Sequence, residues 1–182
     1  GGGGCGSHGS RQTVSYDLET SITIGLKDAY EGKTAKISYN PGDGRKTVNV
    51  KIPAGMESGK KIKLKNQGRK APDGGCGNLM IKINVDAGEG RELKGLDIYE
   101  KTTVYPWEAY LGAEKIIDTL DGKIKVRIPA GVKNGQKIKL SGRGYRDIKG
   151  TRGNLYIETV MENPAELPEA VRKAYEEVMS GK

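Results

Sequence analysis

Apolar and polar positions alternate with a period of two through most of this chain. "TVNVKIPAG", "KKIKLK" and "NLMIKINV" read as strands with one buried face, and so do "KIKVRIPAG" and "NLYIETVM". Turn residues are dense between them, as in "PGDG", "PAG", "SGK", "PDGGCG" and "LDGK". The Asp121-Gly122 pair, set between two apolar runs, predicts a hairpin. Two short stretches break the alternation. In "GLKDAYEG" Leu26, Ala29 and Tyr30 fall at helical spacing; in "PWEAYLG" Trp107, Tyr110 and Leu111 do, and glycine stops each segment.

The tail has a different period. "NPAELPEAVRKAYEEVMSGK" predicts a helix opening at Pro168 and Glu169, with acids early and Gly181 after its end. Leu167, Val171, Ala174, Tyr175, Val178 and Met179 form one apolar stripe. The pattern alone fits a helix folded back on the preceding strands as well as a helix that seeks a second chain.

The strands come twice. Laid over one another at a constant offset, Val50–Ile81 and Val126–Ile157 share "IPAG", "KIKL" (Lys61–Leu64 on Lys137–Leu140), Gly68 on Gly144 and "GNL" on "GNL". Upstream, "DAYEG" matches "EAYLG", with the slack taken up by "PGDG", which the second copy lacks. Each module has about 75 residues, the size of a small independent domain rather than of a solenoid repeat. The expected fold is all-β: two tandem homologous antiparallel β-sandwich or barrel domains, then a C-terminal helix.

Composition narrows the chemistry. Of 182 residues, 35% are hydrophobic and none is Phe, so both cores must rest on Ile, Leu and Val. The net charge of +8, from 31 basic and 23 acidic residues, suits an acidic partner or simply lysine-covered strand faces, and the second account is the simpler. The two cysteines, Cys5 and Cys76, have neither CxxC spacing nor a histidine partner, which argues against zinc and for a reducing compartment. Cys76 sits in a Gly-rich turn and reads as incidental. No apolar run approaches membrane-spanning length, so no membrane is expected. The opening "GGGGCGSHGS" reads as a linker or cloning remnant.

Catalytic constellations are missing. The single histidine, His8, lies in the linker, so no Ser-His or Cys-His pair forms. The Gly-x-Gly stretches do not sit in a strand–GxGxxG–helix unit, and no GxxxxGK[ST] loop exists. An enzyme is not expected, nor a cofactor. A binding surface is. In "GKTAKISYN" the side chains of Ala35, Ile37 and Tyr39 share one face, where the second module has Lys115, Ile117 and Thr119. Those three are either the core face of an ordinary strand or an apolar line beside a sheet edge that could accept an extended peptide. Spacing alone favours the core.

The tandem "KIPAG…KIKL…GNL" modules, together with "LKDAYEGKTAKI" and "TLDGKIKVRIPAG" in that order, resemble the C-terminal substrate-binding region of DnaJ-type J-domain co-chaperones. The resemblance runs from about Thr13 to Met179. It is closest to the zinc-free class and to bacterial curved-DNA-binding relatives, because "PGDG" stands where a cysteine-rich zinc module would be inserted. The His-Pro-Asp motif of the J-domain is absent; His8 is followed by Gly9 and Ser10.

The resemblance implies a linker at 1–12, a peptide-binding β-domain at 13–90, a second β-domain at 91–163 and a dimerisation helix at 164–182. It implies a groove for unfolded clients at Ala35, Ile37, Tyr39 and Ile81, closed at one end by Leu26 and Tyr30. Lys33, Lys36 and Lys51 would dock the acidic C-terminal tail of a DnaK-type ATP-driven chaperone, and Val171, Tyr175 and Val178 would make a homodimer, in the cytoplasm. The alternative is a basic nucleic-acid-binding architectural protein. The lysines are poorly interleaved with aromatics along the chain, which sets DNA second.

Overall fold

The computed structural model describes residues 14–181. The linker of residues 1–12, with Cys5 and His8, lies outside the described residues, as do Thr13 and Lys182. The first repeat supplies β1 (Leu18–Gly25), α1 (Leu26–Glu31), β2 (Lys33–Tyr39), β3 (Lys46–Ile52), β4 (Lys61–Leu64) and β5 (Leu79–Asp86). The second supplies β6 (Arg91–Lys94), β7 (Asp97–Val104), α2 (Pro106–Leu111), β8 (Ala113–Thr119), β9 (Gly122–Ile128), β10 (Lys137–Leu140) and β11 (Leu155–Met161), before α3 (Glu169–Met179). The protein is mostly β, in antiparallel sheets with a C-terminal helix, as the alternation predicts.

Strand order is β1-β5-β4 and β2-β3 in the first repeat, β10-β11-β7-β6 and β8-β9 in the second. The duplicated "KIKL" strands pair alike: Lys61 opposite Lys82 through Leu64 opposite Leu79, and Lys137 opposite Glu158 through Leu140 opposite Leu155. The predicted hairpin is β8–β9, with Leu120 and Asp121 in the loop and Gly122 at φ 111° where the strand resumes. A pairing in the second repeat departs from the antiparallel expectation. β7 and β11 run parallel, from Ile98 beside Leu155 to Val104 beside Met161. The first and last main strands of the module become neighbours, and the intervening α2 and β8 to β10 are long enough for the crossover that a parallel pair requires.

The chain divides into two compact units that do not follow the repeat boundary. One holds residues 14–24 of those described, Thr34–Lys51 and Glu57–Val85; the other holds Gly25–Lys33, Ile52–Met56 and Asp86 onward. In the first, Ile24, Ile37, Tyr39, Val50, Leu79, Ile81 and Ile83 are buried. In the second, Val104, Ala109, Ile128 and Val132 form a cluster with Ala113 and Ile138 packed against it. The helix α1 and the "PAG" turn of the first repeat are thus part of the second unit.

The two short helices are alike in sequence and unlike in burial. Gly32 and Gly112 end them at φ 80° and 85°. α1 buries Leu26, Ala29 and Tyr30, as its spacing predicts. α2 buries only Ala109; Tyr110 is 79% exposed and Leu111 75%. The reason is partners. Tyr30 lies 6.0 Å from the Tyr145 ring and under the guanidinium groups of Arg146 and Arg152, whereas no such cover lies over Tyr110 among the described residues.

Candidate functional site

β2 pairs with β3 alone, so one of its edges has no strand partner among the described residues. Its alternation puts Ala35, Ile37 and Tyr39 inward and Lys36 and Ser38 outward. Burial deepens along the strand: Ala35 is half-buried, Ile37 is 5% exposed and Tyr39 9%. The Tyr39 hydroxyl donates to Gln67 Oε1 at 2.9 Å, and burial holds its pKa above the ordinary phenol value. Ile81, on β5, is fully buried. Ile37, Tyr39 and Ile81 are therefore core side chains of the first unit, and Ala35 is the one of the four with surface to offer.

Leu26 and Tyr30 belong to the second unit and are 4% exposed. The Tyr30 hydroxyl donates to Asp121 at 2.7 Å, and Asp121 also takes a hydrogen bond from Arg152 and lies 3.6 Å from Arg143. Burial and this acceptor raise the Tyr30 pKa. Burial pushes Asp121 up as well, but the Tyr30 hydroxyl and the two guanidinium groups outweigh it and hold the carboxyl below its usual value.

The three lysines singled out by the resemblance are exposed. Lys33 binds Asp28 at 2.7 Å. Lys36 and Lys51 have no carboxylate within 4.0 Å among the described residues, which leaves them as the unneutralised cations of the three. On α3, Val171 is half-buried, Tyr175 is 41% exposed and Val178 75%, and no residue of the helix is buried. Its apolar stripe is therefore uncovered within this chain.

Residues that the sequence reading passed over also keep apolar surface in the first unit. Ile22 on β1, Val48 on β3, and Ile62 and Leu64 on β4 are inward-facing but only half-buried. Alternation marks them as inward and cannot tell the centre of a core from its rim. Among the described residues no group of three or more His, Cys, Asp or Glu side chains is gathered as metal ligands, and no helix is long and apolar enough to cross a membrane.

The family of the DnaJ C terminal domain matches residues 18–164, from the first residue of β1 to just past β11. Among curated relatives, Chaperone protein DnaJ 2 of Synechocystis is 38% identical over 153 residues, 84% of this chain and 47% of that protein. Chaperone protein DnaJ of Clostridium acetobutylicum is 36% identical over 71% of this chain and 35% of its own length. Curved DNA-binding protein of Pseudomonas putida is 32% identical over 87% of this chain and 53% of its length. The chain thus spans about half the length, or less, of the curated relatives it matches. A match over residues 18–164, across both repeats, places this chain in the DnaJ C-terminal domain family.

Proposed function

We propose that this chain is the client-binding part of a co-chaperone. It holds unfolded or extended polypeptides on the first β-domain and hands them to a DnaK-type ATP-dependent chaperone in the cytoplasm, working as a homodimer. The observation that carries this reading is the unpaired edge of β2. An extended client adds there as a further strand, so that main-chain hydrogen bonds supply affinity without regard to sequence. Apolar contacts come from side chains that keep accessible surface: Ala35 beside the edge, then Ile22, Val48, Ile62 and Leu64. Ile37, Tyr39 and Ile81 hold the strand in place from beneath. Two such weak sites on one dimer raise avidity through effective concentration.

The test is fluorescence anisotropy with a labelled, extended apolar peptide. Ala35→Glu places a charge beside the edge at a half-buried position and is expected to weaken binding several-fold with the fold intact. Lys125→Glu, on an exposed position of β9, serves as the control for charge. Undiminished binding by a folded Ala35→Glu variant rules out this edge as the client site.

A further inference from the structure

The outward face of the sheet β10-β11-β7-β6 carries chemistry that the client reading does not use. Tyr99 on β7 stands beside Tyr156 on β11 in the parallel register. Their rings stack with centroids 5.0 Å apart and planes 13° from parallel. Lys94 Nζ, from β6, lies 5.1 Å from the Tyr99 ring centre, and Lys137 Nζ, from β10, lies 5.4 Å from it. Alternation puts Lys101 on the same face, and Lys139 is the partner of Tyr156. Glu92, Glu158 and, by the same alternation as Tyr99, Asp97 are the acids of this face. Lys94 approaches Glu92 at 3.6 Å, while Lys101, Lys137 and Lys139 have no carboxylate within 4.0 Å among the described residues. A recess of about 300 Å³ opens beside Tyr99, bordered by Arg91, Lys94, Lys101 and Lys137 and by the carboxylates of Glu92, Glu100 and Glu158.

The first repeat lacks this arrangement. Where the second has Tyr99 and Tyr156, the first has Glu19 and Met80, and Lys61, the counterpart of Lys137, binds Glu19 at 3.0 Å. The same face of the first repeat carries Lys61, Lys63 and Lys82, with Glu19 as the partner of Lys61 and no aromatic ring among them. The second gathers its lysines around two aromatic rings, with Glu158 opposite Lys137 and beside Lys101 in the strand register. Cross-strand stacking steadies a sheet by itself, and cation–π attraction draws Lys94 and Lys137 to Tyr99; neither involves Lys101 or Lys139, which share the face.

A ligand with planar rings and regularly spaced anions accounts for both features. We infer that this face binds single-stranded nucleic acid, with bases stacking on the Tyr99–Tyr156 pair and phosphates meeting Lys94, Lys101, Lys137 and Lys139. The lysine side chains are long and flexible, so a base displaces the ammonium group from above Tyr99 and the cation moves to the adjacent phosphate. A duplex keeps its bases stacked and would leave the rings unused. An acidic peptide would meet the lysines and offer nothing to the rings. The net charge of +8 favours any polyanion; the rings select this one. The site lies in the second unit and is independent of the client edge on β2.

The test is anisotropy with the full chain against labelled oligo-dT, a duplex of equal length and poly-glutamate, across a salt series. Oligo-dT is expected to bind tightest. The double variant Tyr99→Ala/Tyr156→Ala should lose about ten-fold or more, while Tyr99→Phe/Tyr156→Phe, which keeps both rings, should bind like the parent. Lys101→Gln and Lys137→Gln should each flatten the slope of log affinity against log salt by about 0.7. Photocrosslinking of a bromouracil strand to the unmodified protein should label Tyr99 or Tyr156. Duplex or poly-glutamate binding as tightly as oligo-dT overturns the inference. So does full affinity in the double alanine variant, or crosslinks confined to other residues.

Discussion

The Tyr30 hydroxyl donates a 2.7 Å hydrogen bond to Oδ1 of Asp121, across 91 residues of sequence. It joins the short helix of the first repeat to the hairpin loop of the second, inside one compact unit. Removing it with Tyr30→Phe should cost about 1 kcal/mol. Asp121→Asn should cost more, since Arg152 and Arg143 lose their counter-ion. The folded Asp121 carboxyl titrates below its unfolded value, so its contribution is complete above that value and is lost as pH falls through the folded one. Tyr30 is raised, so its contribution is present below the ordinary phenol value and lost as pH rises through the folded one. Urea unfolding of both variants across pH should show the Asp121→Asn deficit shrinking in acid; a constant deficit would mean that the carboxylate charge is not what matters.

The "GNL" motif of each repeat predicts intolerance to a single methyl group. A Cβ at Gly77 would lie 2.0 Å from the Tyr16 carbonyl oxygen, and one at Gly153 equally close to that of Leu96. Both neighbours are backbone and cannot swing aside. Gly77→Ala and Gly153→Ala should each destabilise by about 1–3 kcal/mol or more. Gly131→Ala meets nothing within 4 Å and pays only for its φ of 77°, so it should cost less. Thermal unfolding of the three variants ranks them.

Ile81 is fully buried between Leu79 and Ile83 on β5. Ile81→Ala should therefore lower stability by about 2–5 kcal/mol, as truncation of a core side chain does. A loss of peptide binding without a loss of stability would instead make Ile81 a surface for clients.

If the acidic tail of the partner chaperone docks beside β2, Lys36 and Lys51 are the cations free to meet it. Lys36→Glu and Lys51→Glu should each weaken an acidic peptide a few-fold at low salt, with the difference fading as salt screens it. Lys33→Gln should matter less, because Asp28 already occupies Lys33 at 2.7 Å. Calorimetric titration with a Glu-rich peptide at two ionic strengths checks the order.

Val178 is 75% exposed, so Val178→Asp should leave the monomer as stable as before. If α3 makes the dimer, the same change should shift sedimentation to the monomer, as should a chain ending at Asn163. A truncated chain that still sediments as a dimer would remove α3 from the interface.

Much of the fold was legible before any coordinates. A period of two identifies strands, glycine marks their ends, and a repeated "KIKL" predicts a repeated pairing, because these are local properties of backbone and side chain. The limits are equally physical. "DAYEG" and "EAYLG" look alike, yet Tyr30 is buried and Tyr110 exposed, since burial depends on what packs against a residue and not on the residue. Ile37 and Tyr39 could not be sorted from Ala35 by spacing, because all three point inward and only neighbouring strands decide how deeply.

The sequence by itself determined that this chain is two β-modules and a terminal helix, and its duplicated motifs identified the family. Tertiary structure alone decided which residues distant in sequence share a face. Tyr99 and Tyr156 are separated by most of a module, and the lysines look scattered in sequence. A parallel pairing of β7 with β11, flanked by β6 and β10, brings them onto one surface. Strand pairing is set by long-range hydrogen bonds and shared burial, and no local pattern of residues encodes it.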